Sequence, residues 1–423
     1  MADMVNTTVP RGLNGQRDLS AWAPLGEPLF RSLWVASVIS YTGTWMQNVG
    51  AGWLMTQLTT SPLMVGLVQA ATTLPVFLVI LPAGALADMV DRRRFLLITQ
   101  IWMVAAAALL GIFTLLGTVT PWILLLFTFV LGLGAVMNDP AWQAITPEVV
   151  SPTLHAPAVA LNSVGFNVAR AVGPALGGIV IAIAGSGVAF LLNAVSFFGV
   201  IFFLYRWKRL RLENVATGRV TDAILAGLRY GRDASVVRCV LIRTGAFSLG
   251  ASSLLALLPI VARPHGATGY GLLLGSFGLG ALAGAAVLPH LRSTLSVDGV
   301  VTVAIVVFAV MTFAAGQVRG FGWLELVLFT SGTAWIGILA CLNVAAQTMS
   351  PSFLRARALS LYLLVLQGGM AIGSALWGAL ASRVGTPTAL LYSAIALVAG
   401  LVSVRRYPLT SQELQYAPSV IRD

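Results

Sequence analysis

Charged side chains are scarce in this chain: they make up 9% of its 423 residues, whereas a water-soluble domain carries about 25%. That shortage argues against a soluble enzyme before any motif is read. Lysine is nearly missing, since Lys208 is the single lysine among 25 basic residues. No Gly-rich loop ends in a lysine that could reach a nucleotide phosphate, so ATP hydrolysis is not expected. Two cysteines, Cys239 and Cys341, fall in or beside apolar stretches and offer no disulfide framework. The three histidines, His155, His265 and His290, are far apart near loop ends. Neither a metal nor any other cofactor is expected. The first 28 residues are polar and lack the apolar core of a cleavable signal peptide, so the first spanning helix is expected to be retained.

What the chain has instead is apolar length. Hydrophobic residues form 58% of it, gathered into stretches long enough to span a bilayer. The spans read as 31–56, 62–86, 95–117, 121–140, 153–180 and 185–205, then 235–260, 268–290, 296–316, 320–345, 354–381 and 385–404. Each must be helical, because hydrocarbon offers the backbone no other hydrogen-bond partner. The net charge of +11 is spread between the spans and forms no basic domain. It fits anchoring against membrane lipids, and nucleic acid is not an expected partner. With the N-terminus inside, the cytoplasmic loops receive Arg92, Arg93, Arg94, Arg206, Lys208, Arg209, Arg211 and most of the other arginines. The outer loops receive only Arg263, Arg319 and Arg383. The positive-inside rule then predicts both termini in the cytoplasm.

One long charged break, 206–234, divides six spans from six. The expected organisation is a polar N-terminus 1–28, a six-helix bundle 29–205, a linker 206–234, a second bundle 235–405 and a tail 406–423. The halves repeat: Leu154, Ala156, Ala158 and Leu161 recur 200 residues later as Leu354, Ala356, Ala358 and Leu361. Ala171, Gly173, Ala175, Leu176 and Gly178 recur as Ala371, Gly373, Ala375, Leu376 and Gly378. Repeated halves imply alternating access around a central cavity, complete within a single chain and therefore functional as a monomer.

Between the second and third spans runs Gly84-Ala-Leu-Ala-Asp88-Met-Val-Asp91-Arg92-Arg93-Arg94. Glycine permits close helix contact, and a carboxylate at a helix end can pair with arginine or cap a neighbouring helix, as a conformational latch would. Gly84, Asp88, Asp91 and Arg92–Arg94 resemble the loop 2–3 signature of the major facilitator superfamily, and the resemblance covers about residues 28 to 405. The matching loop of the second half, around Leu288–Arg292, lacks an acidic residue, so asymmetric gating is expected. The run Gly173-Pro174-Ala175-Leu176-Gly177-Gly178 resembles the fifth-helix motif of antiporters in that superfamily. Trp45-Met46-Gln47, the stretch 139–144 and Leu161-Asn162-Ser163 are similar to the enterobactin-exporter and secretion-effector branch. The resemblance implies an all-α membrane protein with twelve transmembrane helices in two pseudo-symmetric bundles, placed in a bacterial inner membrane.

Polar groups inside a bilayer are costly and mark functional sites by default. The substrate-path candidates are Trp45, Gln47, Asn48, Asn162, Asn167, Arg170, Tyr362 and Gln367. Arg170 is the arginine placed deepest; it suits an anionic ligand or a structural carbonyl cluster. Arg243 lies nearer the cytoplasm and could snorkel. Asp139, at the inner end of the fourth span, and Glu325, near the outer end of the tenth, are the proton-coupling candidates. The function expected is proton-coupled export of small amphipathic molecules, siderophore or drug-like. The alternative is an importer of a small solute or lipid-like substrate on the same fold. No enzymatic activity is expected.

Overall fold

The computed structural model describes residues 20–89, 91–206, 235–348, 355–402 and 407, with backbone alone for 81–89, 235, 236 and 356. The linker, both chain ends, and the side chains of Gly84 and Asp88 lie outside the described residues. Helices dominate: α1 (Pro28–Leu58), α2 (Pro62–Met89), α3 (Arg92–Leu115) and α4 (Pro121–Val149) come first. The run His155–Arg206 is two helices meeting at Gly185, whose φ of 83° lies in the left-handed region that only glycine adopts freely. We label its arms α5 (155–184) and α6 (186–206). The second half holds α7 (Ser235–Val261), α8 (Gly266–Thr294), α9 (Val297–Gln317), α10 (Phe321–Thr348), α11 (Arg355–Val384) and α12 (Thr386–Gly400).

Nine continuous helical runs among the described residues are long and apolar enough to cross a membrane, and the run holding α5 and α6 supplies two passes. Two helices fall outside that count for different reasons. α12 has only 15 residues, and α1 is diluted by Ser37, Ser40, Tyr41, Thr42, Thr44, Gln47 and Asn48. Large apolar side chains such as Ile98, Ile183, Val195 and Leu326 are exposed on the outside of the bundle, where lipid would solvate them. Helix starts are capped by side chains that accept an orphan amide. Asp91 accepts from the Arg94 amide at 3.0 Å, and Ser296 from the Gly299 amide at 3.1 Å.

α4 corrects one expectation. The span was expected to end at residue 140, yet the helix continues through Pro140 and Pro147 to Val149. Proline ends helices reliably in water; in a membrane bundle neighbouring groups make good the lost bond. Asp139 is therefore ten residues inside α4 and not at its tip.

The helix contacts repeat between the halves. α1 packs on α5, α2 on α4 and α3 on α4; α7 packs on α11, α8 on α10 and α9 on α10 in the same relation. The polar stitches repeat too. Asn193 on α6 donates to Gln47 on α1. At the matching place Ser253 on α7 meets Ser393 on α12 at 2.6 Å, and Ser393 donates to the Gly250 carbonyl. The halves meet through α2 against α11 and α5 against α8, a pair of interfaces that the pseudo-twofold exchanges.

Two of the arginines after α2 reach partners in the first half. Arg92 pairs with Glu148 at the end of α4 at 3.0 Å, and Arg93 donates to the Leu204 and Tyr205 carbonyls at the end of α6. In the second half Arg243 does not snorkel. It is 2% exposed and pairs with Asp298 in the first turn of α9. It also reaches the Tyr407 carbonyl at 3.4 Å. The second half thus carries an acidic–basic tie after all, on α7 and α9, although the loop after α8 lacks one.

A buried arginine that loses its carboxylate costs about 3–5 kcal/mol. Asp298→Ala should lower stability by about that amount, measured by thermal unfolding in detergent. The double variant Asp298→Ala with Arg243→Met should recover most of it, because no charge is then left buried.

Candidate transport cavity and the gate beside it

A cavity of about 260 Å³ lies between the two halves. Its walls come from α1, α2 and α5 on one side and from α7, α8, α10 and α11 on the other. Trp45, Asn48, Arg170 and Gln367, four of the residues singled out in the sequence, line it together. The other four lie elsewhere. Gln47 is buried against Asn193 on α6. Asn162 donates to Thr146 on α4 at 3.0 Å, and Asn167 to the Ser163 carbonyl of its own helix at 2.8 Å. Tyr362 is 2% exposed, and its hydroxyl donates to the Leu339 carbonyl. In each case a polar group inside the bilayer has found a protein partner, which removes the need for a ligand. Glu325 sits half-buried in the second turn of α10, away from the cavity.

The sequence reading missed Gln69, Thr72 and Thr73 on α2, Tyr270 and Phe277 on α8, and Trp335 on α10. Their helical phase was the missing information. Tyr270 stacks on Trp53 with ring centroids 6.5 Å apart, joining α1 to α8. Phe277 and Trp335, 5.9 Å apart, extend the aromatic wall into the core of the second half with Phe247 and Phe308.

Arg170 sets the cavity's electrostatics. Its guanidinium stands 5.9 Å from the Trp45 ring and 6.0 Å from the Phe277 ring, between the halves. Among the described residues it meets no hydrogen-bond acceptor and no carboxylate. Two cation–π contacts offset part of the desolvation, about 0.5–2 kcal/mol each. Among the described residues no Asp or Glu lines this cavity. The side-chain amides of Asn48, Gln69 and Gln367 also make no hydrogen bond among the described residues. The cavity is therefore a positive, donor-rich slot with aromatic walls.

Small residues set how closely the helices pack around it, within the first half and between the halves. Gly173 and Gly177 turn toward α1, where an added Cβ would meet Trp45 Cβ at 2.6 Å and Met46 Cα at 2.8 Å. Gly178 faces α8, where a Cβ would stand 2.6 Å from the Ala267 carbonyl oxygen and 3.0 Å from Gly271 Cα. At the pseudo-twofold mate, a Cβ on Gly66 would stand 2.6 Å from the Ser374 oxygen and 3.2 Å from Gly378 Cα. Pro174 sits one turn from Gly178 on the same face. Its missing amide leaves the Arg170 carbonyl without an intrahelical donor, and that oxygen lies against Gly278 of α8. On the same side of the molecule Leu63 of α2 donates its amide to Ser382 of α11 at 3.1 Å. Arg263, between α7 and α8, donates to the Thr56 and Thr59 carbonyls at 2.6 and 3.0 Å. The face carrying the α1–α2 and α7–α8 turns is closed.

The model of the transmembrane secretion effector family, a branch of the major facilitator superfamily, matches residues 19–420. The chain belongs to this family. It is 26% identical to the enterobactin exporter EntS of Salmonella choleraesuis over 86% of the chain and 87% of that protein. It is equally similar, at 26%, to the multidrug efflux pump Tap of Mycolicibacterium fortuitum, over 87% of the chain and 93% of that pump. A staphyloferrin A transporter of Staphylococcus aureus is 27% identical over 38% of the chain and 41% of its own length. Among solved structures, the nucleoside transporter NupG superposes with a TM-score of 0.70 at 14% identity, covering 89% of the chain and 99% of its own. A variant of the peptide transporter POT in complex with sulfate gives 0.72 at 14% identity, covering 91% and 94%. These likenesses establish the fold. A secretion effector of this superfamily is a polytopic membrane transporter and not an enzyme, with a bacterial inner membrane as its setting.

A bulky side chain at either glycine pair should hold the closed face apart. Gly178→Leu should increase the distance between spin labels placed at the α5–α6 and α7–α8 turns, measured by pulsed electron resonance, while the helix content by circular dichroism stays unchanged. A distance distribution identical to that of the parent would mean that this contact does not set the closure.

Proposed function

We propose that this protein is a proton-coupled exporter of small amphipathic anions that works as a monomer by alternating access. Efflux of small amphipathic molecules is the activity of the branch to which it belongs. The anionic preference rests on one observation: Arg170 enters the cavity without an acceptor among the described residues, beside amides that likewise lack partners. A ligand carboxylate or catecholate would give those donors their partners, and a flat ring would lie against Trp45, Phe277 or Trp335. A cationic drug would meet like charge and no carboxylate. The relatives point in both directions, since one is named for the siderophore enterobactin and another for multidrug efflux.

The positive-inside pattern of the loop arginines supports both termini in the cytoplasm. In that orientation the glycine-tied face is the outer gate, and the conformation is closed to the outside. At about 260 Å³ the cavity lies just below the usual range of ligand pockets, roughly 300–1,000 Å³. Larger cargo therefore requires the halves to part, which rocking about the α2–α11 and α5–α8 interfaces would do.

Transport into inside-out vesicles under an imposed pH gradient tests this reading. A catecholate siderophore should accumulate, and ethidium, a flat cation, should accumulate far less. Losing a hydrogen bond to a charged partner costs about 1.5–3 kcal/mol, so Arg170→Ala should lower kcat/KM for the anion by about 10- to 100-fold. Arg170→Lys should recover part of the loss. Unchanged anion transport in Arg170→Ala would overturn the role of Arg170. Accumulation in right-side-out vesicles alone would replace export by import.

A further inference from the structure

A second cavity of about 140 Å³ lies inside the first bundle, walled by α1, α3, α4, α5 and α6. Its chemistry is the reverse of the central cavity's. Asp139 lines this second cavity and takes part in no hydrogen bond or ion pair among the described residues. Gln100, only 3% exposed, lines the same space. It donates its amide to Asn138 Oδ1 at 3.0 Å, and its Oε1 has no partner. A buried acceptor without a donor is rare, because it forfeits its hydration on folding. Together the carboxylate and the orphaned oxygen call for a guest that donates.

Among the described residues no basic side chain lines this cavity. Tyr41 on α1 is, among the described residues, the one titratable group besides Asp139 that lines it, and the lining contributions of α3, α5 and α6 do not ionise. The two cavities are separated by a run of rings. Tyr41 meets Phe166 edge-on at 5.4 Å, Phe166 meets Trp45 at 6.4 Å, and Trp45 lies under Arg170. Phe166 lines the acceptor cavity, and one helical turn later Arg170 lines the donor cavity.

We propose that the Asp139 cavity is the coupling-cation site of the transporter, holding a proton on Asp139 apart from the substrate. The carboxylate takes one proton from the aqueous side that reaches it, becomes a neutral acid, and releases that proton to the other side after the conformational change. Gln100 is a positioning residue: its free Oε1 favours the protonated, donating form of the site. Phe166, Trp45 and Tyr41 form the partition that keeps proton and substrate in separate compartments. The assignment rests on the proton-coupled export reading, and its test separates the two.

Infrared difference spectroscopy of the purified protein across a pH titration reads the site without any cargo. A carboxylic-acid carbonyl band should rise as pH falls, and the component of it that belongs to Asp139 should be missing from Asp139→Asn, read as the difference between the two titrations. Gln100→Leu should move its midpoint to lower pH, a shift that a merely structural role would not produce. In vesicles, Asp139→Asn should abolish gradient-driven accumulation yet retain exchange of labelled for unlabelled siderophore at equal concentrations. Identical titrations of wild type and Asp139→Asn would overturn the assignment, as would wild-type accumulation driven by a sodium gradient and indifferent to pH. Loss of exchange together with accumulation would also overturn it, by placing Asp139 on the substrate path. If the wild type transports no siderophore at all, the export reading fails, while the infrared titration still decides the site.

Discussion

Backbone must approach backbone for the two bundles to close over a cavity, and it does so where side chains vanish. Gly178 against Gly271 and Gly66 against Gly378 bring α5 to α8 and α2 to α11 within carbonyl contact. Lipid gives helices no hydrophobic reason to associate, so close packing and hydrogen bonds must supply the attraction. The same two pairs fix where the cavity begins. One turn along α5 from Gly178, Pro174 frees the Arg170 carbonyl toward α8. At that level the helices part enough to admit Trp45, Arg170 and Phe277. Gate and binding slot are thus consecutive turns of one helix, and motion at the first is felt at the second.

Away from that seam the protein suppresses intramembrane polarity by pairing it. Gln47 with Asn193, Asn162 with Thr146, Ser253 with Ser393, and Arg243 with Asp298 each close a polar group onto another helix. These pairs hold each half rigid, as rocking of whole bundles requires. Against that background the unpaired groups stand out by contrast. Arg170, Asn48, Gln69 and Gln367 face one cavity, and Asp139 with the Gln100 oxygen faces another.

How much of this was readable in advance follows from the range of each interaction. The spans were legible because apolar length is a local property, and the halves because Gly173 and Gly178 recur 200 residues on as Gly373 and Gly378. Both members of that repeat turned out to lie at packing seams, on α1 and α8 for one half and on α7 and α2 for the other. Trp45, Asn48, Arg170 and Gln367 were legible as intramembrane polar or aromatic residues. Gln47 looked the same, but its partner Asn193 is 146 positions away and nothing local announces it. Arg243 was misjudged for the same reason, since Asp298 belongs to a helix two spans later. Residues such as Thr72, Tyr270 and Trp335 carry no chemical oddity; only the rotation of their helices turns them toward the cavity.

The two cavities have opposite demands, and that bears on how one chain can couple two solutes. A site that binds an anion and a proton in one space would draw the two together, since each lowers the charge cost of the other. Exchange needs them to be bound in alternation. Placing donors at Arg170 and acceptors at Asp139, with Phe166 between, weakens that mutual attraction by distance and by an apolar screen. On the proposed assignment coupling runs through conformation, because α1 and α5 wall both cavities. The arrangement explains why Trp45 is held on three sides, by Phe166, by Arg170 and by the close approach of Gly173. A ring free to rotate there would join the compartments, and a fixed one makes the movement of the two helices a single event.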